Sequence, residues 1–198
     1  HDRDSEFTWI IDPLDGTTNY AHGLPVFCVS IAVERRNRLE VGVIYDPNSD
    51  ELFSAELGKG AFLNGKRIRV SEIDSLSRSL LVTGFPYSIA ENPSSAIEHF
   101  IRFLTKAQAV RRMGSAAIDL AYVAAGRYDG FWEVSLNPWD MAAGALLVEE
   151  AGGVVTGFSG GAFSVYNPAI LASNGLVHGE MIETLSLGLA PPPPGKGG

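Results

Sequence analysis

The chain is poor in sulfur chemistry: Cys28 is its one cysteine, so no internal disulfide can staple it, and its place in an apolar strand pattern marks it as buried and inert. It is also poor in positive charge. Fifteen Lys and Arg stand against 23 Asp and Glu, giving a net charge of −8. An anion of that size argues against a nucleic acid polymer or an anionic membrane as partner. Long apolar runs are missing too. The stretch that comes nearest, Gly114 to Phe131, carries Asp119, Arg127 and Asp129 and is too polar to span lipid. No basic segment followed by an apolar run opens the chain, and with the lone cysteine this makes a reducing cytoplasm the expected location. His1, His22, His99 and His178 are scattered, and no Ser or Cys sits in a nucleophile elbow. Any phosphate chemistry must therefore borrow a cation.

What is present suits a soluble globular unit: 198 residues, 45% hydrophobic and 19% charged. Area scaling lets roughly 70% of the unfolded surface be buried. One domain is expected over residues 1–189, followed by an extended, disordered Pro/Gly tail at 190–198 with no catalytic role.

Up to about residue 90 the patterning predicts a meandering sheet. Phe7 to Ile11 reads as a strand stopped by Asp12-Pro13. Phe27 to Glu34 and Leu39 to Tyr45 alternate around the connection Arg35–Arg38, and Leu52 to Glu56 follows. Asn64-Gly65, between Ala61–Leu63 and Ile68–Val70, signals a type I′ turn.

Helices then alternate with strands. Asn92-Pro93 offers a helix start before Ile97, Phe100, Ile101 and Leu104. A strand at Ala107–Val110, a small-residue helix at Ser115–Ala125, a strand at Tyr128–Glu133 and a helix at Pro138–Ala151 come next. Short strands at Val154-Val155 and Ile170–Ala172 and a helix at Met181–Leu187 complete an α/β layer architecture.

The chemistry is densest at Asp12-Pro13-Leu14-Asp15-Gly16-Thr17-Thr18-Asn19. Two carboxylates three residues apart can point into one space and offer hard oxygen ligands of the kind Mg²⁺ takes. Gly16 and the two threonines add amides and hydroxyls that suit a phosphate oxygen. For a bare Asp-x-x-Asp-Gly an Asx-type turn, with both aspartates bonding local amides, is the favoured explanation. The full octapeptide behind a buried strand favours the metal. Asp140, in Asn137-Pro138-Trp139-Asp140, falls in the first turn of a helix, where capping alone would account for it. A pair of metals clamping a phosphoryl group needs such a third, distant carboxylate. Glu133 closes an apolar strand and is either a solvated strand end or an acceptor for a polyol hydroxyl. Gly114-Ser115-Ala116-Ala117 opens a helix whose free amides could meet a substrate or form an ordinary cap.

These residues resemble the inositol monophosphatase family of lithium-sensitive, magnesium-dependent phosphatases. Two specific signatures carry the resemblance: Trp9 to Asn19, and Asn137-Pro138-Trp139-Asp140 through Glu150-Ala151-Gly152-Gly153. Gly60 to Gly65 and Gly114 to Leu120 resemble family segments as well. The resemblance implies a layered αβαβα sandwich, commonly a homodimer, that hydrolyses phosphate monoesters with a metal-activated water. It implies Mg²⁺, with Mn²⁺ as the alternative, at Asp12, Asp15, Asp140 and the Leu14 carbonyl. Gly16 and Thr17 would hold phosphate, with the Thr17 hydroxyl near the water. Gly114, Ala116 and Glu133 would meet the sugar hydroxyls.

Only six residues precede Phe7, where the family carries helices and a Gly-Glu-Glu type motif whose glutamate binds the first metal; Asp2, Asp4 and Glu6 do not reproduce it. Either a full enzyme has been shortened or the chain is a degenerate, non-catalytic binder of metal and phosphate. Without those helices, apolar sheet surface should lie uncovered. Among substrates, inositol monophosphate comes first, and fructose 1,6-bisphosphate, 3′-phosphoadenosine nucleotides and histidinol phosphate are the alternatives.

Overall fold

The computed structural model describes residues 5–90 and 94–186. Six antiparallel strands run in chain order across the first sheet: β1 (Phe7–Asp15), β2 (Cys28–Arg35), β3 (Arg38–Asp46), β4 (Glu51–Glu56), β5 (Gly60–Leu63) and β6 (Lys66–Arg67). A five-residue helix, α1 (Thr17–Ala21), interrupts the β1–β2 connection. Asn64 and Gly65 both adopt positive φ, 48° and 76°, as a type I′ turn between β5 and β6 requires.

The second sheet has the order β10-β11-β9-β7-β8. Here β7 (Leu80–Thr83) runs parallel to β8 (Ala109–Arg111) and β9 (Gly130–Glu133), whereas β11 (Ile170–Ser173) is antiparallel to β9 and β10 (Val154–Thr156).

Between the sheets lie α3 (Ala116–Ala124) and α4 (Pro138–Glu150). Met141 to Val148 of α4 are all buried, since a helix enclosed on every side must be apolar around its whole circumference. Small residues let it sit close to its neighbours. A Cβ on Gly42 of β3 would lie 2.9 Å from the Ala143 carbonyl oxygen, and one on Gly144 would lie 2.4 Å from Cβ of Leu120. The far face of the second sheet is covered by α2 (Ser94–Leu104) and α5 (His178–Ser186) around Leu81, Phe103, Trp132, Leu171 and Met181.

The order of layers among the described residues is thus sheet, helices, sheet, helices. This is the expected α/β sandwich without an outer helix layer over the first sheet. That sheet's outer face exposes Phe7, Ile11, Val41, Tyr45, Leu52 and above all Trp9, which is 66% accessible. No helix among the described residues is long and apolar enough to cross a membrane.

Several expected boundaries shift for physical reasons. β1 does not stop at Asp12-Pro13 but continues to Asp15, because it is an edge strand and a proline there costs no ladder bond on its open side. After the turn at Asn64-Gly65, pairing covers only Lys66–Arg67, not Ile68–Val70. In α2 the buried positions include Ala96 and Phe103, while Ile97, Ile101 and Leu104 face outward, so apolar spacing alone picked the wrong stripe. The last helix begins at His178, three residues earlier than expected, because the Asn174 side chain accepts from the amides of Leu176 and Val177 just ahead of it. The helix start at Asn92-Pro93 and the tail at 190–198 lie outside the described residues.

Candidate metal centre

A regular strand would point Asp12 and Asp15 to opposite faces, because side chains alternate and the two are an odd number of residues apart. The structure resolves this with a bulge. Asp12 pairs with Ser30 and Asp15 with Cys28, so three steps along β1 match two along β2. The extra residue brings both carboxylates to one side. The Leu14 amide donates to Oδ1 of Asp12 at 2.9 Å and holds the kink.

Gly16 then turns the chain with φ at 86°, and a Cβ there would lie 2.7 Å from the Val26 carbonyl oxygen. Thr17 follows as the exposed first residue of α1.

Asp140 arrives from α4. Its Oδ2 accepts from the Asn137 backbone amide at 2.7 Å, the reach-back bond of a capping box. The Ser30 hydroxyl donates to the Trp139 carbonyl at 3.3 Å and ties the start of α4 to β2. Asp12, Asp15 and Asp140, each half-buried, bring one carboxylate oxygen apiece within 4.8 Å of one another.

The start of α3 supplies a second support. Ser115 caps the helix, its hydroxyl donates to Oδ2 of Asp15 at 2.6 Å, and the Ala117 amide donates to the same oxygen at 2.9 Å. Two groups of a segment expected to face a substrate or to cap a helix are therefore committed to Asp15. Gly114 remains exposed and Ala116 opens α3 beside it. Asn19 links the two motifs: its side-chain amide donates to the Val26 carbonyl at 2.8 Å and the Met113 carbonyl at 2.9 Å. Neither the Ser115 bond nor the Asn19 link was legible in sequence, since each joins segments far apart in the chain.

The electrostatics are those of crowded carboxylates with little counter-charge. Burial pushes Asp15 up to about 6; its bonds to Ser115 and Ala117 work against the rise, and the charges of Asp140 and Asp12 add to it. Burial also raises Asp140, against the donors of Asn137. Glu133 ends β9 buried and is pushed to about 8, first by burial and then by Asp15 and Asp140.

Sequence reasoning passed over Asp119. It is 1% exposed in α3, its Oδ1 has no partner among the described residues, and burial followed by Glu133 and Asp15 raises it well above the carboxylate range. A lone carboxylate in a small-residue apolar helix was the available signal.

The donor set fits a hard divalent cation. Three carboxylate oxygens converge, and the proton affinity that burial, with the neighbouring carboxylates, gives Asp15 is relieved when a cation supplies the missing positive charge.

An α/β sandwich presenting such a cluster at a strand end and a helix start is an architecture suited to holding a divalent cation. The inositol monophosphatase family profile matches residues 1–187, and the chain belongs to that family. It is 44% identical over 183 residues to an inositol-1-monophosphatase of Mesorhizobium japonicum, covering 92% of this chain and 69% of that one. It is 49% identical over 182 residues to the protein named Nus factor SuhB of Salmonella typhimurium, covering 92% and 68%. A solved inositol monophosphatase from Anabaena superposes with a TM-score of 0.90 at 49% identity, covering 93% of this chain and 73% of that one.

Proposed function

We propose that the protein hydrolyses the phosphate monoester of a small polyol, inositol monophosphate foremost, in the cytoplasm and as a homodimer. The observation that carries this reading is the convergence of Asp12, Asp15 and Asp140 from two distant segments within 4.8 Å. In this reading Asp12, Asp15, Asp140 and the Leu14 carbonyl would hold Mg²⁺ or Mn²⁺, with Asp12 shared between two ions and Asp15 and Asp140 on one of them. The bound cations supply the charge that draws in the ester and lower the pKa of the attacking water. Gly16 and Thr17 lie where α1 begins and hold the phosphate, and the Thr17 hydroxyl orients the water. Ser115 and the Ala117 amide keep Asp15 aimed, as donors behind a ligand do. Gly114, Ala116 and Glu133 meet the hydroxyls of the alcohol.

The test is phosphate release from inositol 1-phosphate with and without Mg²⁺, beside fructose 1,6-bisphosphate, a 3′-phosphoadenosine nucleotide and histidinol phosphate. Metal-dependent release, fastest from inositol 1-phosphate, is expected. Preference for another ester would reassign the substrate. The relatives named Nus factor SuhB favour a second reading, a role through association rather than turnover. Mg²⁺ binding without release from any of the four esters would select it.

A further inference from the structure

Glu133 and Gly84 sit on neighbouring strands whose register forces them together. β7 and β9 run parallel with Leu81 beside Gly130, Val82 beside Phe131 and Thr83 beside Trp132, so the next residue of each chain, Gly84 and Glu133, come out side by side. The Thr83 hydroxyl donates to the Trp132 carbonyl at 2.6 Å and locks the end of this pairing. Beyond it the Glu133 carboxylate lies flat against Gly84: a Cβ on Gly84 would stand 2.3 Å from both Oε1 and Oε2 and 2.4 Å from Cδ. No heavy atom approaches another that closely without a bond, so any side chain at position 84 must evict the carboxylate. Glu133 is itself buried, at 9% exposed. The Gly84 amide faces the carboxylate and partly offsets its raised proton affinity.

We infer that Gly84 is a positioning residue that sets the selectivity of the site for polyol phosphates, by leaving open the space in which the Glu133 carboxylate sits to accept a ring hydroxyl. The inference rests on the reading of Glu133 as the acceptor for the alcohol. Gly84 is not among the residues read as holding the cations or the phosphate, so its effect should be confined to esters whose alcohol carries hydroxyls.

The experiment compares Gly84→Ala, Glu133→Ala, the double variant and Gly84→Ala/Glu133→Asp in the Mg²⁺-loaded protein. KM is read for inositol 1-phosphate against p-nitrophenyl phosphate, which has no ring hydroxyl, and myo-inositol is titrated calorimetrically. Losing a well-placed bond to a charged acceptor corresponds to roughly tenfold to a hundredfold in affinity. Gly84→Ala should raise KM for inositol 1-phosphate by that factor and weaken myo-inositol binding with it, while p-nitrophenyl phosphate shifts less than about twofold. It should add nothing once Glu133 is Ala, and the shorter Asp should recover part of the loss. An equal change on both substrates, or none on inositol 1-phosphate, overturns the inference. If Glu133→Ala alone leaves KM and myo-inositol binding unchanged, it is the reading of Glu133 that fails. If Gly84→Ala does not fold, removing the carboxylate in the double variant must restore its melting temperature, and failure to do so removes the steric cradle.

Discussion

The Ser115 hydroxyl donates to Oδ2 of Asp15 at 2.6 Å, joining the cap of α3 to the end of β1. One residue thereby starts a helix and aims a carboxylate. Ser115→Ala should lower Mg²⁺ affinity or turnover by about tenfold to a hundredfold, the usual effect of removing a donor behind a ligand. Titration of the metal against initial rate checks this, and an unaltered curve would show that the Ala117 amide suffices.

Asp15→Asn removes one negative charge from the cluster while keeping its shape. Phosphate release should fall by orders of magnitude while the circular dichroism spectrum is retained. A variant as fast as the parent would contradict the ligand role.

Asn19→Ala leaves the carbonyls of Val26 and Met113 without their shared donor. Each unsatisfied buried group costs about 1 to 3 kcal/mol, so chemical denaturation should show a loss in that range or above. A loss below half a kcal/mol would mean that water replaces the amide.

Glu133 gives the metal-free protein a pH dependence of definite sign. Its proton is held up to about pH 8 in the folded state, against an ordinary value of 4.5. The neutral carboxyl is the form that folding favours, so this contribution is fully present below pH 4.5 and is lost as pH rises through 8. Melting temperature in a chelator should therefore fall more steeply between pH 5 and 9 in the parent than in Glu133→Gln. Parallel slopes would place the titration elsewhere.

The outer face of the first sheet should bind an apolar dye, since Phe7, Trp9 and Ile11 line its edge strand unprotected among the described residues. Trp9→Lys should reduce the dye fluorescence. Equal fluorescence in both proteins would assign the binding to another surface.

How far the sequence could be read depended on the range of the interaction. The type I′ turn at Asn64-Gly65, the capped start of α4 at Asn137 and the alternation of β2 follow from neighbouring residues, because φ preferences, orphan amides and the two-residue strand period act locally. The clustering of aspartates was anticipated from the octapeptide at Asp12 to Asn19, from Asp140 as a distant third carboxylate, and from the family signatures; a regular strand would have sent Asp12 and Asp15 to opposite faces. Tertiary structure decided the rest. The bulge against β2 turned both carboxylates one way, Asn19 and Ser115 tied two remote motifs into one site, and the β7–β9 register set Gly84 beneath Glu133. Each depends on which strand lies beside which, and a contact between segments a hundred residues apart leaves no periodic trace in either of them.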